Sequence, residues 1–291
     1  MKFILQTFVL LALLAFGSAW AVSLPVTEDG TAFVGRSADP ESGKLVFYAG
    51  GCSSCHAAPG SEDKTVLSGG YRLDSDFGTF IAPNISQDPR AGIGGWSIAE
   101  FATALRQGVS PEGRHYFPAF PYATYRRMTD QDVADLFAYL QTLPADPTPS
   151  APHEVGFPFS VRAGIGLWKA LFVNDNWVAT DTSTPELVRG RYLVEALAHC
   201  AECHTPRNPV GGLDLENWLG GAPNPSGKGR IPSIQPEKLG WSKDEIVAYL
   251  ESGFTPEFDV AGGSMKSVVA NFMLLPDSDK SAVAAYLTAL R

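Results

Sequence analysis

The chain is poor in sulfur and in positive charge. Its 291 residues hold four cysteines and four methionines, and 22 Lys and Arg face 31 Asp and Glu. So acidic a chain is a poor nucleic-acid partner. Its charge serves solubility, or steers it toward basic patches on other proteins. Period-two alternation of apolar and polar residues is lacking, which argues against sheet. After the first twenty residues no long apolar run recurs, so the remainder reads as soluble or peripherally attached. Apolar residues are 45% of the chain, ordinary for a protein with a real core and unlike a disordered or fibrous one.

The N-terminus stands apart. MKFILQTFVLLALLAFGSAWA has one Lys, an apolar run from Phe8 to Phe16, then small residues. Ala19-Trp20-Ala21 fits the small-x-small cleavage pattern of a secretory signal, so residues 1–21 are expected to be a signal peptide. An uncleaved membrane anchor is the alternative, although the run is short for a span. Without Lys2, 21 basic residues face 31 acidic ones, a net charge of −10. Export would place the four cysteines in an oxidising compartment, where two disulfides are one possible use.

The second half echoes the first. Cys52 and Cys200 are 148 residues apart, Trp96 and Trp241 are 145 apart, and Tyr139-Leu140 and Tyr286-Leu287 are 147 apart. A shared offset implies two homologous units in tandem, placed at residues 36–146 and 184–291. Both read as helical. Ser97-Ile-Ala-Glu100 and Ser242-Lys-Asp-Glu245 have the capping-box pattern. Ile98, Phe101, Ala102 and Leu105 keep helical spacing, as do Val133, Leu136, Phe137 and Leu140 after Thr129. A counterpart starts near Asp277 and carries Val283, Tyr286, Leu287 and Leu290. Further helices are expected at 41–49 and 185–198, leading into the cysteines. The fold class is therefore all-α. Prolines between Pro144 and Phe159 disfavour helix there, and residues 147–183 form a connector. Its Phe157, Phe159, Trp168 and Phe172 are too apolar for a free linker and are expected to pack between the units.

All four cysteines lie in two Cys-x-x-Cys-His motifs, GCSSCHA and HCAECHT. This is the attachment signature for c-type haem: two thiols add to the two vinyl groups, and the adjacent His becomes the proximal iron ligand. Cys52, Cys55 and His56 would hold one haem, and Cys200, Cys203 and His204 a second. A single four-Cys zinc site would need the two motifs to meet and would leave both histidines without a role. A thioredoxin-like redox pair would want βαβ surroundings. Each proximal His needs its other ring nitrogen satisfied, commonly by a carbonyl. Pro83-Asn84-Ile85 and Pro232-Ser233-Ile234 occupy similar places in the two units and are candidate providers.

The opposite axial ligand is less defined. Met raises the potential in cytochromes c, and Met128, Met265 and Met273 are the methionines after the N-terminal segment. Met128 and Met273 each lie 32 residues after their Trp, so the repeat favours that pair. Met265 lies 24 after Trp241, where the first unit has Phe120. His115 is a further candidate for the first haem. His153 and His199 read as bystanders.

GTFIAPNI (78–85), GIGGWS (92–97), GRHYFPAFPY (113–122) and HTPRNP (204–209) resemble the multihaem cytochrome c subunits of bacterial alcohol, gluconate and fructose dehydrogenases. The resemblance covers nearly all of the chain after the N-terminal segment. It implies two small helical cytochrome c domains with His/Met-ligated haem. It also implies a partner dehydrogenase as electron donor. The acceptor would be a quinone, a cytochrome or an oxidase. Such subunits commonly carry three haems, and two attachment motifs are present here. Relatives with Phe at position 120 often carry Met before the following helix, which supports Met128. The family pattern Gly-Gly-x-Met-x-x-Val-Val matches Gly262–Val269 and favours Met265 over Met273, against the repeat count.

The resulting expectation is a periplasmic dihaem electron carrier rather than an enzyme. It would have no nucleic-acid partner, and its membrane association would be peripheral or through the N-terminal helix. The alternative is a dihaem enzyme, thiosulfate dehydrogenase-like or peroxidase-like, with an open or unusually ligated first haem.

Overall fold

The computed structural model describes all residues except Met1, Asp181, Ser226, Lys228 and Arg291. Met1 and Arg291, the outer ends of the expected segments, thus lie outside the described residues. In chain order the helices are α1 (Lys2–Val22), α2 (Pro40–Ala49), α3 (Cys52–His56), α4 (Ile98–Ala102), α5 (Tyr122–Tyr125), α6 (Asp130–Leu140) and α7 (Ala163–Phe172). They continue with α8 (Pro185–Tyr192), α9 (Ala201–His204), α10 (Pro236–Leu239), α11 (Lys243–Ser252), α12 (Met265–Phe272) and α13 (Asp277–Ala289). Two antiparallel hairpins, β1 (Arg72–Ser75) with β2 (Gly78–Ile81) and β3 (Ala222–Pro223) with β4 (Arg230–Ile231), sit in the loops.

Local chemistry sets many helix starts. Asp39 caps α2 by accepting from the amides of Glu41 and Ser42, with Pro40 in the first turn. Ser97 and Ser242 form complete capping boxes with Glu100 and Glu245. Thr129 caps α6 through the Asp132 amide. The expected helix over 185–198 is α-helical only to Tyr192. It widens into a π turn at Leu193–Leu197, where the Ala198 amide reaches back five residues.

Two helix pairs cross in the same way. α2 packs on α6 at Gly43, where a Cβ would lie 1.9 Å from the Asp135 carbonyl oxygen. α8 packs on α13 at Gly190, where a Cβ would lie 2.0 Å from that of Ala282. Only glycine lets the backbones approach so closely. One contiguous apolar cluster joins both pairs, with Phe47, Val133 and Leu140 from one side and Leu193, Val283 and Leu287 from the other. At about 25 cal/mol per Å² this burial is the main favourable term in folding. The buried Glu195 carboxylate is fully partnered. It accepts from the Val178 and Ala179 amides at 2.6 and 2.9 Å and from the Tyr286 hydroxyl at 2.7 Å, and so ties the segment after α7 to the core.

Two expectations need correction. The loops contain short strands, two to four residues long and too brief to show alternation in sequence. The aromatic connector is only partly packed. Trp168 donates to the Val210 carbonyl at 2.9 Å and Phe172 lies against Gly212, but Phe157 is 86% exposed and Phe159 is exposed. The helix α7 in this region had no side-chain cap to announce it; its sequence AGIGLWKALF is apolar but for Lys169.

Candidate functional site

Each Cys-x-x-Cys-His motif is a single helical turn at the end of a core helix. α2 ends at Ala49, and Gly51 turns left-handed (φ 62°) to start α3. The spacing i, i+3 places Cys52 and Cys55 on one face, with His56 next along. The second motif repeats this with one change. The left-handed position is His199 (φ 43°), a non-glycine residue. A left-handed side-chain residue costs about 1–2 kcal/mol. His199 recovers part of that by a ring-nitrogen contact of 3.2 Å to the Gly50 carbonyl and an edge contact with Tyr125.

Both motif histidines are oriented identically. His56 Nδ1 lies 2.8 Å from the Pro83 carbonyl oxygen, and His204 Nδ1 lies 2.8 Å from that of Pro232. A carbonyl only accepts, so Nδ1 carries the proton and Nε2 keeps its lone pair. Burial pushes both imidazoles below the ordinary histidine pKa, against the carbonyl bonds, and favours the neutral ligating form. The hairpins explain the symmetry: β2 runs into Ala82-Pro83, and β4 runs directly into Pro232. Asn84, buried beside Pro83, donates to the Asp146 and Thr148 carbonyls at 2.8 Å each and fixes that segment.

The four thiols are unbonded. Burial pushes Cys52 and Cys200 up to about 12. These are not the low-pKa thiolates of a disulfide-exchange motif. Among the described residues, no three His, Cys, Asp or Glu side chains converge as a metal-ion site. Thiol, thiol and free Nε2 on one short turn form the donor set for a haem bound through thioethers and iron, and the chain offers it twice.

The other sequence candidates differ in burial and in the partners they already hold. Met128 is 4% exposed in the core; its carbonyl accepts from Arg106, whose guanidinium also pairs with Asp130 and Glu28. Met265 is half-buried at the first residue of α12, whereas Met273 is 55% exposed beyond its end. His115 is committed at both nitrogens: Nε2 to the Ser23 carbonyl at 2.9 Å, Nδ1 to Lys169 Nζ at 3.1 Å. His153 accepts from the Ile81 amide and packs on Phe80 and Phe117.

The two motifs touch. Besides the His199–Gly50 contact, Asn271 of α12 donates to Ser54 of α3 at 2.9 Å, and Thr124 of α5 donates to Glu202 of α9 at 3.2 Å. Tyr125 donates its hydroxyl to the Gly50 carbonyl at 3.0 Å. Burial pushes the Cys55 thiol up to about 11, and the charge of Cys203 adds to the rise. Sequence reading missed these cross-links. The aligned pair Gly51 and His199 was a usable signal, since a glycine in one copy marks a left-handed need in the other. Nothing local marks Asn271.

Residues 40–144 match the family model described as cytochrome c. The chain is 51% identical over 279 residues to a protein named diheme cytochrome c-type from Cereibacter sphaeroides, covering 95% of this chain and 94% of that one. It is 37% identical to the fructose dehydrogenase cytochrome subunit of Gluconobacter japonicus, over 84% of this chain and 51% of that one. It is 32% identical to the cytochrome c subunit of the quinone alcohol dehydrogenase of Gluconobacter oxydans, over 85% of this chain and 54% of that one. The chain thus spans about half the length of these two dehydrogenase subunits. With attachment turns, neutral oriented histidines and these relatives, the chain belongs to the cytochrome c family, among the dihaem and dehydrogenase-subunit cytochromes.

Proposed function

We propose that the chain is a periplasmic electron carrier with two covalently bound haem c groups, one in each of two tandem cytochrome c domains. The domains are residues 36–146 and 184–291, joined by the connector 147–183. Cys52, Cys55 and His56 hold the first haem, with Met128 as second axial ligand. Cys200, Cys203 and His204 hold the other, with Met265. The electron donor is a dehydrogenase, of the kind the named relatives serve, and the acceptor is a quinone, a cytochrome or an oxidase.

The observation that carries this reading is the paired 2.8 Å contact of each motif histidine with a proline carbonyl. Haem supplies the one-electron chemistry; the chain binds it, orients its ligands and excludes water. Met128 suits the role by its burial. Met265 is favoured over Met273, which points to solvent. His115 has no free nitrogen to offer. The matching helix crossings at Gly43 and Gly190 support two equivalent domains.

The test is the purified chain assayed for haem by alkaline pyridine haemochrome and for the near-infrared iron–methionine band of the oxidised form. Two haems per chain and full band intensity are expected. One haem per chain overturns the dihaem reading. Two haems with half intensity leave one iron without methionine and shift the reading to a catalytic dihaem enzyme.

A further inference from the structure

α7 hides little of itself. Ile165 and Gly166 are its buried residues, while Leu167 and Leu171, four apart on one face, are exposed, Leu171 at 68%. The strand of chain leading into it is also apolar and exposed, with Phe157, Phe159 and Val161. Exposed Val210 lies alongside, its carbonyl bonded to Trp168. Phe159 packs on Phe77, which in turn touches Gly211, so the two apolar segments share one neighbourhood. Contiguous exposed apolar surface of this kind marks an interaction site rather than ordinary surface.

The structure also indicates what covers it. α1 is a 21-residue apolar helix with no buried residue, long enough to cross a bilayer. It ends at Val22, and the next residue is clamped to α7. The Ser23 carbonyl accepts from His115, and a Cβ on Gly166 would lie 2.3 Å from that same oxygen. Arg162 and Lys169, from the start and the later turns of α7, hold His115 in place. A membrane-length helix therefore leaves the body one residue from the apolar face.

We propose that Phe157, Phe159, Val161, Leu167, Leu171 and Val210 form a membrane-contact face, seated at the boundary between headgroups and acyl chains of a lipid bilayer. Apolar and aromatic side chains on a surface helix suit that boundary. The face orients the body: α1 enters the bilayer at the same edge, and the apolar patch lies flat beside it. This goes beyond the electron-carrier reading and does not depend on it; it takes α1 as the retained anchor rather than as a cleaved signal peptide.

The test uses the haem-loaded full chain in phosphatidylcholine–phosphatidylglycerol vesicles. A single cysteine is introduced as Leu171→Cys, and separately as Leu167→Cys and Phe258→Cys. Phe258 is the comparator, equally apolar and exposed in a loop remote in sequence from α7. Each carries a nitroxide; the parent chain, labelled in parallel, shows whether any native thiol reacts. Haem content, measured separately, reports folding. Collision with oxygen, which concentrates in lipid, is compared with collision with a water-soluble nickel chelate. A severalfold higher oxygen-to-nickel ratio at 171 and 167 than at 258 is expected. Equal ratios at all three positions overturn the proposal. Dipolar broadening between labels at 171 assigns the face to a second copy of the chain and also overturns it.

Discussion

The ring of His199 meets the carbonyl oxygen of Gly50 at 3.2 Å, so the residue before the second attachment turn is bonded to the chain two residues before Cys52 of the first. His199 does this from a left-handed backbone that its counterpart Gly51 adopts without strain. Strained residues persist when surrounding contacts over-determine them. His199→Gly and His199→Ala separate the two effects. Both lose the hydrogen bond, worth about 1 kcal/mol. The alanine variant keeps the backbone strain, and the glycine variant sheds about 1–2 kcal/mol of it. Denaturant unfolding of the holoprotein should therefore rank alanine below glycine. Equal stabilities would mean that His199 is not strained.

The axial assignments lead to a second experiment. Met128→Leu and Met265→Leu should each remove half of the near-infrared iron–methionine band and lower the potential of one haem, since methionine ligation raises it. Met273→Leu should leave band and potentials unchanged. A Met273 variant that loses the band would exchange the roles of Met265 and Met273.

That ambiguity shows where sequence is readable and where it is not. Capping at Ser97, Thr129 and Ser242 is decided within four residues, and the structure has these caps where the sequence puts them. The carbonyl partners Pro83 and Pro232 were visible because the repeat aligns them. Counting from the tryptophans pairs Met128 with Met273 and Met265 with Phe120, but the intervening helices differ in length. α5 has four residues and α12 has eight, so Met265 lies inside a helix whereas Phe120 precedes one. The apolar N-terminal segment was legible from composition, but its run reads as short for a span and only the structure shows 21 helical residues; its junction with α7 depends on Gly166, whose role appears only when Ser23 is beside it. The Asn271–Ser54 bond spans 217 positions and has no local signature.

Lys169 provides a pH test of the α7 junction. Its ammonium donates to the Gly108 carbonyl and His115 and lies over the Tyr122 ring. Burial, with Arg126 nearby, nevertheless pushes its pKa down to about 7 from about 10.5. Between those values the unfolded chain binds the proton and the folded chain does not. The sign is then fixed: stability rises as pH increases from about 7 toward 10, and this contribution levels off below 7, where both states are protonated. Unfolding across that window should show a positive slope in the parent that is smaller in Lys169→Met. Identical slopes would mean that the carbonyl contacts keep Lys169 charged.

The glycine crossings test the equivalence of the two domains. In an isolated helix, Gly→Ala would add about 0.5–1 kcal/mol of stability. At Gly43 the new methyl would meet the Asp135 carbonyl, and at Gly190 that of Ala282, both inside van der Waals contact. Overpacking of this kind costs about 1–3 kcal/mol, and more where backbone has to move. Gly43→Ala and Gly190→Ala should therefore both destabilise, by similar amounts, as read from denaturant midpoints followed at the Soret band. Gly164→Ala is the control: it lies in a helix too, with nothing within 4 Å of the added methyl, and should be neutral or slightly stabilising. Because one apolar cluster spans both crossings, each variant should shift a single shared transition. Two separate transitions, one moved by each substitution, would show that the domains fold independently and that the contacts from His199 and Asn271 do not couple them.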